Sequence, residues 1–171
     1  MVYSICLVPE KKDEQYLSKI ISLLAKKYKS YPFIPHLTIY GLVKAPQKKV
    51  EEAVNYALQD KKPFAVKVKR LACGKKLAKP LFFDCVTNNY LQRVFNDLGL
   101  KLIKYRDFIL DPHISLIYKL NLSLEEKKEI IKSIQIKKEI VFNRCIIIST
   151  TKPLTKAEDV KDWKIVYDKI F

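Results

Sequence analysis

The sequence predicts an α+β fold in which two pseudo-symmetric lobes of antiparallel sheet, with helices on the outside, surround a central cleft. Three observations support it: the order of the elements, a five-residue pattern that occurs twice, and a length of 171 residues that are 49% apolar with only 3 glycines. A chain of this size and composition can bury most of its surface in a core, which excludes disordered and fibrous classes. We expect residues 1–171 to form a single bilobal domain.

Strands are predicted where aliphatic and β-branched residues concentrate between turn residues, over 2–8, 36–43, 64–73, 81–86, 113–119, 139–149 and 163–170. Helices are predicted where apolar residues recur at steps of three and four, over 14–28, 46–58, 88–98 and 123–134. Gly99 is the expected cap of the third helix, and Ser123 with Glu126 forms a capping box for the fourth. Two related units therefore follow one another along the chain.

The first apolar run, residues 2–8, has no basic residues before it, so it is predicted to be a strand and not a signal peptide. No apolar stretch approaches the ~18 residues that a membrane span requires. We therefore expect a cytoplasmic protein without a membrane partner, and a monomer.

The net charge of +15 is concentrated in the middle of the chain, where residues 61–113 carry 12 basic and 4 acidic side chains. Such a field favours anionic partners, nucleotides or RNA first among them. Scattered lysines that only solvate the surface would give the same charge.

The four cysteines, Cys6, Cys73, Cys85 and Cys145, match no zinc or redox spacing, and four free thiols are expected. Cys73 and Cys85 are alternatively placed to face each other across the predicted hairpin. With only two histidines and no close cluster of metal-ligating residues, we expect no metal site and no cofactor.

Both histidines occupy matching local sequences. Residues 35–39 are Pro-His-Leu-Thr-Ile and residues 112–116 are Pro-His-Ile-Ser-Leu. A single copy would be weak support for a function, because a lone histidine at the start of a strand is usually structural. Two matched copies that hold the only histidines of the chain indicate a site.

The spacing of the motifs explains what such a site could do. Side chains alternate across a strand, so His36 shares a face with Thr38, and His113 with Ser115. Because the unperturbed pKa of histidine is ~6.5, one imidazole can take a proton from the attacking water or hydroxyl while the other gives a proton to the departing oxygen. The two hydroxyls can bind phosphate oxygens between them. The pattern predicts in-line displacement at phosphorus without a metal.

At these motifs the sequence resembles the two-histidine (2H) phosphoesterase superfamily, and within it the plant-type 2′,3′-cyclic nucleotide phosphodiesterases. The resemblance extends over most of the chain and is carried by residues 2–5 with Pro9, 33–38, 111–118 and 163–166, with a weaker echo at 81–86. Only the two histidine motifs are specific to function.

The resemblance implies hydrolysis of a 2′,3′-cyclic nucleotide, or of ADP-ribose 1″,2″-cyclic phosphate, to an open phosphomonoester. It implies that His36 and His113 are acid and base and that Thr38, Ser115 and Tyr118 contact the substrate phosphate. In more detail, it makes His113 the group that activates water and His36 the group that protonates the leaving 3′-oxygen, which would give a 2′-phosphate.

Two features depart from the family pattern. Strand parity places Tyr118 on the face opposite His113 unless the strand ends before it. Cys6 stands in the first strand where the family often has a tryptophan, so base stacking would pass to Tyr3, Tyr40 or Phe82, unless these belong to the core.

Two other functions remain open at this stage. A 2′,5′-phosphodiesterase or RNA 3′-end processing enzyme of the same superfamily would use the basic middle third to bind an RNA end. A non-catalytic RNA-binding module would use the basic surface with exposed aromatic residues.

Overall fold

The computed structural model describes residues 1–119 and 122–171. Within them, seven strands form an antiparallel sheet: β1 (Val2–Pro9), β2 (Leu37–Val43), β3 (Phe64–Cys73), β4 (Leu81–Cys85), β5 (His113–Ile117), β6 (Glu139–Thr150) and β7 (Lys164–Ile170). The α-helices are α1 (Lys11–Lys27), α2 (Gln47–Ala57), α3 (Asn89–Leu102) and α4 (Leu124–Ser133), and a 3-10 helix covers Ala157–Asp162. The predicted α+β class is confirmed.

The length of β6 lets the sheet close on itself. The strand order is β1-β2-β5-β4-β3-β6-β7, and β1 also pairs with β6. One edge of the 12-residue β6 pairs with β1, while the opposite edge pairs first with β3 and then with β7. Two groups of strands result, β7-β6-β1-β2 and β3-β4-β5. They are joined at two places, where β3 pairs with β6 and where β2 lies beside β5. This agrees with the predicted pair of lobes.

The helices cover the apolar face of the sheet. Helix α1 packs against β5, while α2 packs against α3 and α3 against β2. The large apolar cluster beneath them contains residues from both groups of strands. A second, small cluster is formed by side chains of the paired strands β1 and β6. Within the described part of the chain, no helix is long and apolar enough to cross a bilayer.

Most predicted elements have boundaries within a few residues of the observed ones, but the predicted end of α3 at Gly99 is wrong. The helix continues to Leu102, and the backbone N–H of Ile103 donates to the Gly99 carbonyl at 3.0 Å. Leu102 is fully buried. Its burial outweighs the cost of about 1 kcal/mol for a glycine inside a helix. At α4, the predicted capping box of Ser123 and Glu126 is confirmed.

The alternative pairing of Cys73 with Cys85 is wrong because of the register of the β3–β4 hairpin. Cys73 lies opposite Leu81 at one end of the paired region, whereas Cys85 lies opposite Val68 at the other. All four cysteines are free thiols, with Cys73 exposed and the others buried.

A single residue pair joins β2 to β5, with Leu37 opposite Ile114. Both side chains are fully buried in the large cluster. Because the side chains alternate, the neighbours of these two residues point to the other face of the sheet. The histidine motifs are therefore held in register by their central aliphatic residues.

We expect Ile114→Ala to lower the free energy of unfolding by about 2 to 5 kcal/mol, because it opens a cavity at the junction of the two groups of strands. Urea unfolding followed by circular dichroism measures this. The control is Ile109→Ala, since Ile109 is 84% exposed and its truncation is expected to change stability by less than about 0.5 kcal/mol. Equal effects of the two substitutions would contradict the role of Ile114.

Candidate active site

The junction of β2 and β5 places both histidine motifs in one cleft. His36, Thr38, His113 and Ser115 all line a cavity of about 440 Å³. Antiparallel pairing of Leu37 with Ile114 sets each histidine across from the hydroxyl residue of the other motif. The clustering expected from the two matched sequences is thus what the fold produces.

Both imidazoles are held in the same tautomer by their own motifs. Nδ1 of His36 lies 2.8 Å from the carbonyl oxygen of Ile34, and Nδ1 of His113 lies 2.6 Å from that of Asp111. A carbonyl oxygen only accepts, so each Nδ1 carries a proton and donates it. In both motifs a proline separates the carbonyl from the histidine and restricts the backbone between them. Nε2 is therefore the atom of each ring that can exchange a proton with a ligand.

His36 lies in an aromatic environment. Its ring makes edge contacts with Trp163, at 5.6 Å between centroids, and with Phe33 at 6.2 Å. Burial lowers the pKa of His36 to about 4, the hydrogen bond to Ile34 opposes this, and the charge of His113 lowers the pKa further. His36 is consequently neutral near pH 7.

His113 is only half-buried and has charged neighbours. Burial is the largest effect and lowers its pKa, and Lys79 acts in the same direction. The hydrogen bond to Asp111 and the carboxylates of Asp111 and Asp84 act in the opposite direction. Phe82 makes an edge contact with the ring at 5.7 Å between centroids.

The two hydroxyls differ in their partners. Thr38 Oγ1 lies 3.7 Å from Cys6 Sγ, and burial raises the pKa of Cys6 to about 12, so the sulfur remains a thiol. The Ser115 hydroxyl donates to the Ala78 carbonyl at 2.5 Å. The phosphate-binding pair expected from the sequence is therefore asymmetric, since only Ser115 is engaged by a backbone carbonyl.

Tyr118 belongs to the same cleft. The strand β5 ends at Ile117, so side-chain alternation no longer governs the next residue. Burial raises the pKa of the Tyr118 phenol, and the neighbouring Ser115 hydroxyl opposes this increase. The centroid of its ring lies 4.2 Å from the centroid of the Phe33 ring. Tyr118 is thus a buried, protonated phenol beside Ser115.

The three aromatic residues considered for base stacking are buried, and none of them is among the described lining of the cleft. Tyr3 and Tyr40 lie in the large apolar cluster and are core residues, whereas Phe82 contacts His113. Sequence reasoning assigned no role to Trp163, which lines the cleft beside His36. The one sequence signal that included it was the resemblance at residues 163–166.

The β3–β4 turn, residues 74–80, forms one wall of the cleft. Lys76 and Lys79 line the cavity, whereas Lys75 is not among the lining residues that the structure describes. The Lys79 ammonium donates to both carboxylate oxygens of Asp111, at 2.7 and 2.8 Å. Its positive charge is therefore compensated within the wall.

The opposite arm of the cleft is mostly apolar, and its residues were not identified from the sequence. They come from the end of β2, the segment after α3, strand β6 and the segment after β6: Leu42, Phe108, Ile109, Ile148, Pro153 and Leu154. Leu42 has φ 59°, in the left-handed region that non-glycine residues rarely adopt. It lies in a bulge of β2 opposite Ser4, whose hydroxyl accepts its N–H at 3.4 Å.

No group of three or more His, Cys, Asp or Glu side chains that could hold a metal ion occurs in residues 1–119 and 122–171. The two imidazoles and the two hydroxyls of the motifs share the lining of the cleft with the Tyr118 phenol and the charged side chains of Lys76, Lys79 and Asp111.

Comparison with known proteins shows a similarity of fold. No protein-family model and no curated protein matches the sequence. Among solved structures, E. coli LigT is similar over 99% of this chain and 96% of its own, with a TM-score of 0.63 and 12% identity. A structure described as a phosphoesterase is similar over 99% of this chain and 97% of its own (TM-score 0.58, 10% identity). The Thermus thermophilus protein TT0787 is similar over 98% and 96%, with a TM-score of 0.58 and 13% identity.

These neighbours and this chain share a LigT-like α+β fold, and the predicted fold is confirmed. At such low identity the similarity concerns the fold, and the roles of the individual side chains depend on the geometry above.

We expect Gly74→Ala to destabilise the protein by about 1 to 3 kcal/mol, because a Cβ at this position would collide with the Lys79 carbonyl oxygen. The turn that carries Ala78 and Lys79 would have to move. The control is Gly99→Ala, where a Cβ meets nothing within 4 Å inside α3, and a gain of about 0.4 to 1 kcal/mol is expected. Chemical denaturation measures both, and an unaffected Gly74 variant would show that the turn is loosely packed.

Proposed function

We propose that the protein is a metal-independent cyclic phosphodiesterase that hydrolyses 2′,3′-cyclic nucleotides, or ADP-ribose 1″,2″-cyclic phosphate, to a phosphomonoester. The observation that carries this proposal is the meeting of two His-x-hydroxyl motifs across one cleft, with both imidazoles in the same tautomer. The resemblance of residues 33–38 and 111–118 to plant-type cyclic phosphodiesterases supports the substrate class.

In this mechanism, the phosphate lies between the two motifs. One imidazole accepts a proton from water through Nε2 as the water oxygen bonds to phosphorus. The other donates a proton from Nε2 to the ester oxygen as its bond to phosphorus breaks. An imidazole of ordinary pKa (~6.5) can play either role near neutral pH. Because burial lowers the pKa of both histidines here, the expected pH optimum lies on the acid side of that range.

Thr38, Ser115 and Tyr118 are proposed to hold the phosphate. Each carries an O–H that can donate to a non-bridging oxygen, where negative charge develops during displacement. Thr38 has the weakest competing partner, since its neighbour Cys6 is a thiol at 3.7 Å. Ser115 can donate to phosphate only by releasing the Ala78 carbonyl, because a hydroxyl has one proton.

The size and polarity of the cleft support a nucleotide substrate. A volume of about 440 Å³ is in the range of small-ligand sites, and Trp163 with the apolar arm can contact a base or ribose. A LigT structure with the same fold is a complex with 3′-AMP. An RNA end, the second candidate, would need further phosphate contacts. In the wall formed by residues 74–80, Lys76 could supply one such phosphate contact, whereas the charge of Lys79 is compensated by Asp111.

We expect His36→Ala and His113→Ala each to lower kcat for 2′,3′-cyclic AMP by about 10² to 10⁴, because each removes one proton transfer. Thr38→Ala and Ser115→Ala should reduce it less. Steady-state kinetics on folded, purified variants measure this, with the exposed Thr87 changed to alanine as a control of wild-type activity. Near wild-type turnover in either histidine variant would contradict the mechanism, as would a loss of activity in EDTA that a divalent cation restores.

Ionic strength separates the candidate substrates. A cyclic mononucleotide releases few counterions on binding, so its kcat/KM should fall only mildly as salt increases. An RNA end held through several phosphates should give a log–log slope of roughly −0.7 per contact. Assays of 2′,3′-cyclic AMP and a 2′,5′-linked oligonucleotide over a salt series distinguish them. Much better turnover of the oligonucleotide with a steep slope would favour the RNA enzyme, and binding without turnover would favour an RNA-binding module.

A further inference from the structure

The two motifs match in sequence, but they differ at the position two residues before the histidine. Ile34 occupies it in the first motif and Asp111 in the second. Both residues accept the Nδ1–H of their histidine through the backbone carbonyl. Only Asp111 adds a carboxylate, and that carboxylate is paired with Lys79 from the β3–β4 turn.

The surroundings of the rings differ accordingly. His36 is 6% exposed and is enclosed by aromatic rings. A positive charge is unfavourable in such a site, because desolvation is not offset by an anion. Of the charged groups, the one that acts on His36 is His113 itself.

His113 is more accessible and lies among charges of both signs. The charged groups around it are Asp111 on its own segment, Asp84 on β4 with its partner Arg70 on β3, Lys76 and Lys79 on the β3–β4 turn, and His36 across the cleft. The two carboxylates favour a protonated ring and Lys79 opposes them. A proton shared by the pair therefore has its lower-energy position on the second motif.

We propose that Asp111 is a positioning residue that makes His113 the proton donor of the reaction and leaves His36 as the base, and that Lys79, which is paired with Asp111, limits how strongly His113 holds its proton. This rests on the proposed function and reverses the roles that the resemblance to plant-type enzymes implies. His36 Nε2 accepts the proton of the attacking water, whose oxygen forms the new bond to phosphorus. His113 Nε2–H gives its proton to the ester oxygen as that oxygen leaves. After the reaction His36 carries one more proton and His113 one fewer, and proton exchange with solvent restores their starting states.

The order of protonation can be measured without any assay of activity. The chain has only two histidines, so NMR titration of their ring C–H signals gives two curves, which the variants His36→Ala and His113→Ala assign. His113 is expected to titrate at higher pH than His36. The opposite order would overturn the proposal, even if the protein proves to hydrolyse no diester and the proposed function fails.

The leaving group tests the catalytic roles. Replacing the departing ester oxygen of the cyclic phosphate by sulfur gives a thiolate, which leaves without a proton from an acid. His113→Ala, expected to lose about 10² to 10⁴ in kcat with the oxygen substrate, should lose less than about tenfold with the sulfur substrate. His36→Ala should lose as much with both. Both the 2′-thio and the 3′-thio isomer are assayed, and rescue of His36→Ala alone would overturn the assignment.

The pH profile tests the roles of Asp111 and Lys79. Asp111→Asn should move the alkaline limb of kcat/KM to lower pH, because Lys79 then acts on His113 without its counter-charge. Lys79→Ala should move it to higher pH, Lys79→Arg should stay close to wild type, and Lys75→Ala on the same turn is the matched control. Equal losses at every pH, with no shift of the limb, would show a structural role only and overturn the positioning role.

Discussion

The pairing of Leu37 with Ile114 is the contact on which the arrangement of the site depends. It is the one register position that joins β2 to β5, and both side chains are fully buried. A slip by one residue would turn the aliphatic residues toward the cleft and the histidines and hydroxyls into the core. The cost of burying two imidazoles and two hydroxyls in an apolar cluster opposes that slip. The same hydrophobic residues therefore hold the fold together and orient the polar groups.

Burial has a second effect at this site, because it sets the protonation of the groups that the register brings together. It lowers the pKa of both histidines and raises that of the Cys6 thiol and the Tyr118 phenol. Near pH 7 these four groups are neutral, beside the charged side chains of Lys76, Lys79 and Asp111 that also line the cleft. Neutral donors and acceptors can accommodate an anionic phosphate without first displacing a bound counter-charge.

The sequence was sufficient for the parts of the structure that depend on local pattern. The strand and helix periodicities located all eleven of the main elements, and the repeated motif identified the residues that meet in the cleft. Local pattern failed where a tertiary contact outweighed it. Helix α3 passes Gly99 because Leu102 is buried, and Cys73 does not face Cys85 because the hairpin register separates them.

Residues that reach the site from distant loops could not be identified in this way. Phe108, Pro153 and Leu154 belong to no motif and line the cleft only because the segments after α3 and β6 fold over it. Nor could strand parity place Tyr118, since that depended on where β5 ends. Among the other lining residues, Trp163 was included in a family resemblance, but no sequence signal indicated its role.

Matched motifs do not imply matched chemistry. What the motif itself fixes is the tautomer, because the carbonyl that accepts the Nδ1 proton lies two residues before each histidine in the chain. Proton affinity is fixed by what packs around the ring, and the two sets of neighbours come from different elements: aromatic side chains around His36, and the charged groups of β4 and the β3–β4 turn around His113. Catalysis of a displacement needs one proton donor and one acceptor at the same time. In a pseudo-symmetric fold, the two histidines can take these different roles because their surroundings differ outside the motifs. In this chain the difference lies two residues before each histidine, where the first motif has Ile34 and the second has Asp111 paired with Lys79.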